Sequence, residues 1–170
     1  MGGKKYVVDK SKNVLVVKKD SVVDRHLKFD GKIIAGMYSC FWGNLEAKEI
    51  SLGKGCYVRG NIICQKIVVG SNSQFNTIRS SGDVLIQNKC KGGAIKSGSD
   101  VRIQEGSTIK SVVAEGNLIV DGDSKIDSVS AKKVVASKDA KPETPTGTGS
   151  ESEPGSDKRY YYRRELAPLK

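Results

Sequence analysis

Histidine is nearly missing from this chain, with His26 the only one in 170 residues. The four cysteines, Cys40, Cys56, Cys64 and Cys90, form no CxxC pair. Zinc sites draw three or four Cys, His or carboxylate ligands into one small group, so no metal or other cofactor is expected on this supply. Long apolar runs are missing too. Nothing approaches the ~18 residues of a membrane-spanning helix. The opening "MGGKKYVVDKSKNVLVVKKD" has no signal-peptide core or cleavage site, and Tyr6 stands where a myristoylation signal carries Ser or Thr. A cytoplasmic protein with reduced thiols is expected. Proline occurs only as Pro142, Pro145, Pro154 and Pro168. Everything before them keeps its backbone donors, as stacked central strands require.

What the chain has in excess is positive charge, +10 in all. It is densest in residues 1–20, which hold six lysines and two aspartates. Such a balance favours anionic partners, nucleic acid or lipid headgroups, without choosing between them.

The chain also repeats. One apolar column reads Phe41, Val58, Phe75, Gly92, Ile109, Ile126, each seventeen residues from the last. Others read Ile33, Ile50, Ile67, Val84, Val101, Leu118, and Ala35, Leu52, Val69, Ile86, Ile103, Val120. A fourth, Leu45, Ile62, Ile78, Ile95, Val112, Val129, contains one sixteen-residue step. Two columns hold small residues: Ala47, Cys64, Ser80, Ser97, Ala114, Ala131, and Ser39, Cys56, Ser73, Cys90, Ser107, Ser124. Within a unit the apolar residues come in pairs two apart, the spacing that puts both on one face of a strand. Between pairs stand Gly36, Gly53, Gly70, Asn88, Gly106 and Gly122, residues suited to sharp corners. Three short strands and three corners per unit predict an all-β fold, a single-stranded triangular β-solenoid with coils of about seventeen residues. The unit is too short, and too rich in Val, Ile, Ser and Gly, for a helical repeat. Cys56, Cys64 and Cys90 read as small core residues.

Three regions follow: a basic N-terminal arm (1–24), the solenoid (25–136) and a disordered tail (137–170). The arm either caps the first coil or lies on an anionic membrane through Lys4, Lys5, Lys10 and Lys12. The tail is Pro, Gly, Ser, Thr and Glu until "RYYYRR", where Arg159, Tyr160, Tyr161, Tyr162, Arg163 and Arg164 make a basic-aromatic docking motif for membrane, protein partner or nucleic acid.

At this point the sequence resembles the bactofilins, a family of polymer-forming prokaryotic cytoskeletal proteins. The resemblance rests on the coil length, on "RGNIICQKIVVG" and "EGNLIVDGDSKID", and on a solenoid flanked by tails. It covers Leu27 to Ala136. It implies a right-handed triangular β-helix that polymerises without nucleotide and acts as a scaffold for cell shape or protein localisation, often at the membrane. Gly92, which interrupts an apolar column, and the tyrosine-rich tail depart from the pattern. Solenoid physics points the same way. An uncapped stack exposes unpaired backbone and a slice of core at each end. The expected polymer interface is Leu27, Phe29, Ile33 and Phe41 at one end and Val129, Val134 and Val135 at the other, with the chain as its own partner.

The enzymatic alternatives fit less well. Hexapeptide acyltransferases repeat in sixes over eighteen-residue coils and commonly use a His base, whereas His26 precedes the regular coils. Carbohydrate-active β-helices want clustered carboxylates in a groove, and Asp121, Asp123 and Asp127 fall near a corner. A capped solenoid serving as a small-oligomer binding module for protein or nucleic acid is the stronger rival. The expectation is a non-enzymatic cytoplasmic cytoskeletal scaffold, peripheral on the membrane where its tails dock.

Overall fold

The structure, a computed structural model, describes residues 5–136, together with the backbone of residues 141–142 and 158–163. It opens with an antiparallel hairpin, β1 (Tyr6–Asp9) and β2 (Val14–Val17). From β2 the chain winds through β3 (Val22–Val23), β4 (Leu27–Ala35), β5 (Cys40–Phe41), β6 (Leu45–Leu52), β7 (Tyr57–Cys64) and β8 (Lys66–Val69). It continues through β9 (Gln74–Ser80), β10 (Val84–Ile86), β11 (Lys91–Ser97), β12 (Val101–Ile103), β13 (Thr108–Ala114), β14 (Asn117–Val120), β15 (Ser124–Ser130) and β16 (Lys133–Ala136). From β2 to β16 the ladders between successive coils are parallel. The result is a β-solenoid of about 7 turns.

The longer strands bend around a corner, so each coil contributes to three faces. The first face stacks β2, the second halves of β4 and β6, then β8, β10, β12, β14 and β16. The second stacks β3, β5 and the first halves of β7, β9, β11, β13 and β15. The third holds the remaining halves, from Leu27 over Leu45 and Ile62 to Val129. The column Phe41, Val58, Phe75, Gly92, Ile109, Ile126 lies in register on the second face. The sixteen-residue step is real: Ile62 pairs with Ile78. Inward residues alternate with exposed ones along each strand, and the apolar columns are fully buried.

The break at Gly92 has a simple cause. A Cβ built on Gly92 would lie 2.1 Å from Phe75 Cζ. The Phe75 ring occupies the place that a Gly92 side chain would fill, so the column stays filled while one of its members has no side chain.

Corners match expectation at Gly106 and Gly122, which are left-handed, and differ elsewhere. The left-handed residue recurs at Tyr38, Gly55, Asn72, Lys89 and Gly106, each seventeen residues on. Gly36, Gly53 and Gly70 are not left-handed and serve close approach instead: a Cβ on Gly36 would sit 2.5 Å from the backbone nitrogen of Lys19. The fold places asparagine, lysine and even tyrosine at the left-handed position, at a cost that glycine avoids.

The solenoid begins earlier than residue 25. Leu15 pairs with Ile33 and Val23 with Phe41, so Val14 to Phe29 form a complete first coil, most of it within the expected arm. The step from that coil to the next is eighteen residues, which a search at seventeen passes over. The tail differs as well. Within it, β17 (Lys141–Pro142) and β18 (Lys158–Arg163) are strands. β18 runs antiparallel to β15, with Tyr160 opposite Ile126 and Tyr162 opposite Ser124, and β17 pairs with β18. Aromatic residues favour strands, and the open edge of β15 supplies the ladder. The rest of the tail, with residues 1–4, lies outside the described residues.

Candidate functional sites: the two ends and the inner ladder

Each end of the solenoid gains one antiparallel strand but keeps open edges. At the N-terminal end, β1 extends the first face, and its outer edge has no partner strand among the described residues. Val7 and Val8 are 53% and 41% exposed there. Beside them lies a recess of ≈ 580 Å³ lined by Tyr6, Val7, Val8 and Val23 with Lys5, Asp24 and Arg25 at its rim. Tyr6 and Phe29 pack, half-buried, against the end of the core. At the C-terminal end, β18 covers the second face, while β16 on the first face pairs only with β14 among the described residues.

Of the expected interface residues, Leu27 and Phe29 belong to the first coil, at the N-terminal end. Ile33 and Phe41 do not lie at an end. They sit in the second coil, sandwiched between Leu15 and Ile50 and between Val23 and Val58, and they are fully buried. The first coil displaces them from the terminus. In their place the end presents Tyr6, Val7 and Val8, with buried Val23 behind them. Val129 and Val134 are inward residues of the last turn, and Val135 faces outward, partly exposed.

The flanking docking residues separate. Lys10 and Lys12 are exposed at the tip of the β1–β2 hairpin, where Asp9 Oδ1 accepts bonds from the Ser11 hydroxyl at 2.6 Å and the Ser11 amide at 3.0 Å. Lys5 instead donates from Nζ to the Val22 carbonyl, bridging β1 to the second face. Lys4 and Arg164 lie outside the described residues. Arg159, Tyr160, Tyr161, Tyr162 and Arg163 are residues of β18.

The residues weighed for catalysis are engaged elsewhere. His26 is exposed, and its Nδ1 accepts the Asn44 amide at 2.9 Å. Asp121 is paired with Arg102 at 2.7 Å. A groove of ≈ 850 Å³ runs along the corner between the third and first faces, floored by Ala47, Cys64, Ser80 and Ser97. Four of its charges form pairs, Lys28–Glu46 and Lys48–Asp30, and its carboxylates, Asp30, Glu46 and Glu115, stand on different coils rather than in one cluster. Among the described residues no three His, Cys, Asp or Glu side chains gather as a metal site would require.

One arrangement went unread in the sequence. The small-residue column from Ser39 to Ser124 is a hydrogen-bonded ladder. Ser39 donates to the Lys18 carbonyl, Cys56 to Gly36, Ser73 to Gly53, Cys90 to Gly70, Ser107 to Gln87 and Ser124 to Gln104, across 3.0–3.3 Å. Several of the same oxygens accept the amide of the preceding coil, as Ser73 does from Cys56 at 3.1 Å and Ser107 from Cys90 at 3.2 Å. Each coil is thus pinned to its predecessor inside the core. The signal was the alternation of serine with cysteine, which share small size and a donor.

Burial raises the pKa of Cys56, Cys90 and Cys64, the last to about 11. Since the thiolate is the reactive form, half-buried Cys40 is expected to react alone with an aromatic disulfide in the native state. The other three should react only on unfolding. The same shift sets a pH dependence. A thiol held neutral in the fold but free to ionise when unfolded, near pH ~8.5, stabilises the fold below that pH. Stability should therefore decline as pH rises from there toward the Cys64 value of about 11. Thermal melts of the wild type beside Cys64→Ala would isolate that slope.

No family model matches the chain, and no curated protein or solved structure was found to be similar to it.

Proposed function

We propose that the chain is a non-enzymatic scaffold whose solenoids join end to end into nucleotide-independent filaments, a bactofilin-like cytoskeletal role in cell shape or protein localisation. The observation that carries this reading is the state of the ends. Among the described residues each carries strand edges with open backbone, and the N-terminal one adds exposed valines around an apolar recess. Unpaired edges of this kind accept another strand, and a second solenoid is the nearest match in spacing and pleat. The hairpin lysines stand to one side, free to meet an anionic membrane on the cytoplasmic side, and the tail offers contacts to other proteins.

A second reading, a small-oligomer binding module, is favoured by one feature: β18 lays a strand over part of the C-terminal end. Pelleting separates the two. Without nucleotide, the wild type is expected in the pellet at high speed. Val8→Arg, which adds charge at an exposed position, should stay in the supernatant with an unchanged β-rich spectrum. A wild type that remains dispersed at every salt and concentration would leave the binding module as the surviving reading.

A further inference from the structure

The three faces do not carry charge alike. On the first face cations alternate with carboxylates, and two pairs form, Lys32 with Glu49 and Arg102 with Asp121. On the third, Lys28 pairs with Glu46 and Lys48 reaches Asp30 at its corner, while Arg79 and Lys96 lie exposed. The second face is different. Its outward column reads Cys40, Tyr57, Gln74, Lys91, Thr108, Lys125. The column beside it reads Trp42, Arg59, Asn76, Gly93, Lys110, Asp127, with a single carboxylate, at the far end. Along these two columns Arg59, Lys91, Lys110 and Lys125 meet one carboxylate, Asp127.

Aromatic residues share that side. Trp42 is 46% exposed and Tyr57 39% exposed, their ring centroids 6.5 Å apart and edge to face. The Arg59 guanidinium lies 5.4 Å over the Trp42 ring, so cation and ring hold each other in place. Next to them a shallow recess of ≈ 430 Å³ lies over Gly92 and Gly93, ringed by Tyr57, Arg59, Gln74, Asn76, Lys91 and Lys110. Gly93, in the outward column, leaves the surface without a side chain there, so a ligand backbone can come close to the sheet. Beyond β15 the same sheet is continued by β18, whose sequence is KRYYYR.

We propose that the second face binds single-stranded nucleic acid, with Arg59, Lys91 and Lys110 on its phosphates and Trp42 and Tyr57 stacking its bases. A positively charged track with interleaved aromatic rings is how single strands are held without regard to sequence. Three coils separate Arg59 from Lys110, ~14 Å at ~4.8 Å per coil, a span of a few nucleotides. A flat sheet has no element to enter a duplex groove, which speaks against double-stranded DNA. The face runs along the rod axis, so joining ends would lengthen the track rather than cover it, and the site does not depend on assembly.

The test is fluorescence anisotropy with the full chain and a labelled oligothymidine of roughly 16 nucleotides, near the upper limit for one such platform. Binding is expected to weaken with salt, with a log–log slope of about −2 from three phosphate contacts. Arg59→Glu/Lys91→Glu/Lys110→Glu should abolish that slope and lower affinity at least about tenfold. Trp42→Ala/Tyr57→Ala should also cost about tenfold or more, with the slope kept. A charge-matched control on the other two faces, Lys66→Glu/Lys96→Glu/Lys133→Glu, should stay within about threefold of wild type. Thermal melts confirm that each variant is folded. Absent binding overturns the proposal. So do equal losses in the two triple variants, which would assign binding to net charge or to the tails. Indifference to loss of the aromatic pair, together with tighter binding of a sulfated glycan, would assign the face to anionic sugars and overturn it as well. Apart from Lys133, which belongs to the last strand β16, the substituted residues lie between the two ends, so pelleting of the Arg59→Glu/Lys91→Glu/Lys110→Glu and Trp42→Ala/Tyr57→Ala variants reports separately on filament formation.

Discussion

Gly92→Val is expected to destabilise the protein by about 3 kcal/mol, at the upper end of what overpacking a core costs. The reason is local and one-sided. Gly92 is not held in a left-handed conformation, so the substitution meets no backbone strain. It meets the Phe75 ring, whose Cζ, Cε2 and Cε1 lie 2.1–2.7 Å from where a Cβ would stand. Phe75→Ala should cost about 3–5 kcal/mol by the opposite route, leaving a hole under a residue with nothing to fill it. The pair Phe75→Val/Gly92→Ile is expected to recover most of both losses. It restores the pattern of the same column in other coils, where Val58, Ile109 and Ile126 each fill their own place. Chemical denaturation of Phe75→Val, Gly92→Ile and the pair beside the wild type gives the coupling energy directly. Losses that simply add would show that Phe75 and Gly92 do not share one space.

The inner ladder yields the second large effect. Ser107→Val is expected to cost roughly 3 kcal/mol, because it strands a buried amide and a part-buried carbonyl at once. The Gln87 carbonyl loses its donor and the Cys90 amide loses its acceptor. Cys90→Ser should change stability by less than about 1 kcal/mol, since a hydroxyl can make the bond that the thiol makes to the Gly70 carbonyl. The contrast separates a ladder of donors from a column of small residues. If size were all that mattered, Ser107→Ala would be as mild as Cys90→Ser.

The periodic part of the fold could be read in the sequence because apolar columns at a fixed step have one economical explanation, coils in register. Phe41 to Ile126 pair as those columns require. What the sequence hid was whatever departed from the period. The first coil stands eighteen residues from the second, so Leu15, Val17 and Val23 fell out of alignment and Ile33 and Phe41 were read as an end. Compensation across coils was hidden too, since Phe75 and Gly92 make sense only as neighbours. The tail strand was hidden for a third reason. "KRYYYR" follows a linker without apolar residues, and nothing local to it says that β15 offers an edge. The charge asymmetry of the second face was latent in the columns, but the outward positions became visible only once the inward ones were fixed.

The central claim is that rods join by continuing their own ladder of coils. Diffraction from oriented, nucleotide-free filaments tests it most directly. The account expects filaments one solenoid wide with a strong meridional reflection at ~4.8 Å, the coil spacing running along the filament axis without interruption. A reflection at that spacing lying across the filament axis would mean that the solenoids associate side by side, and would contradict end-to-end joining.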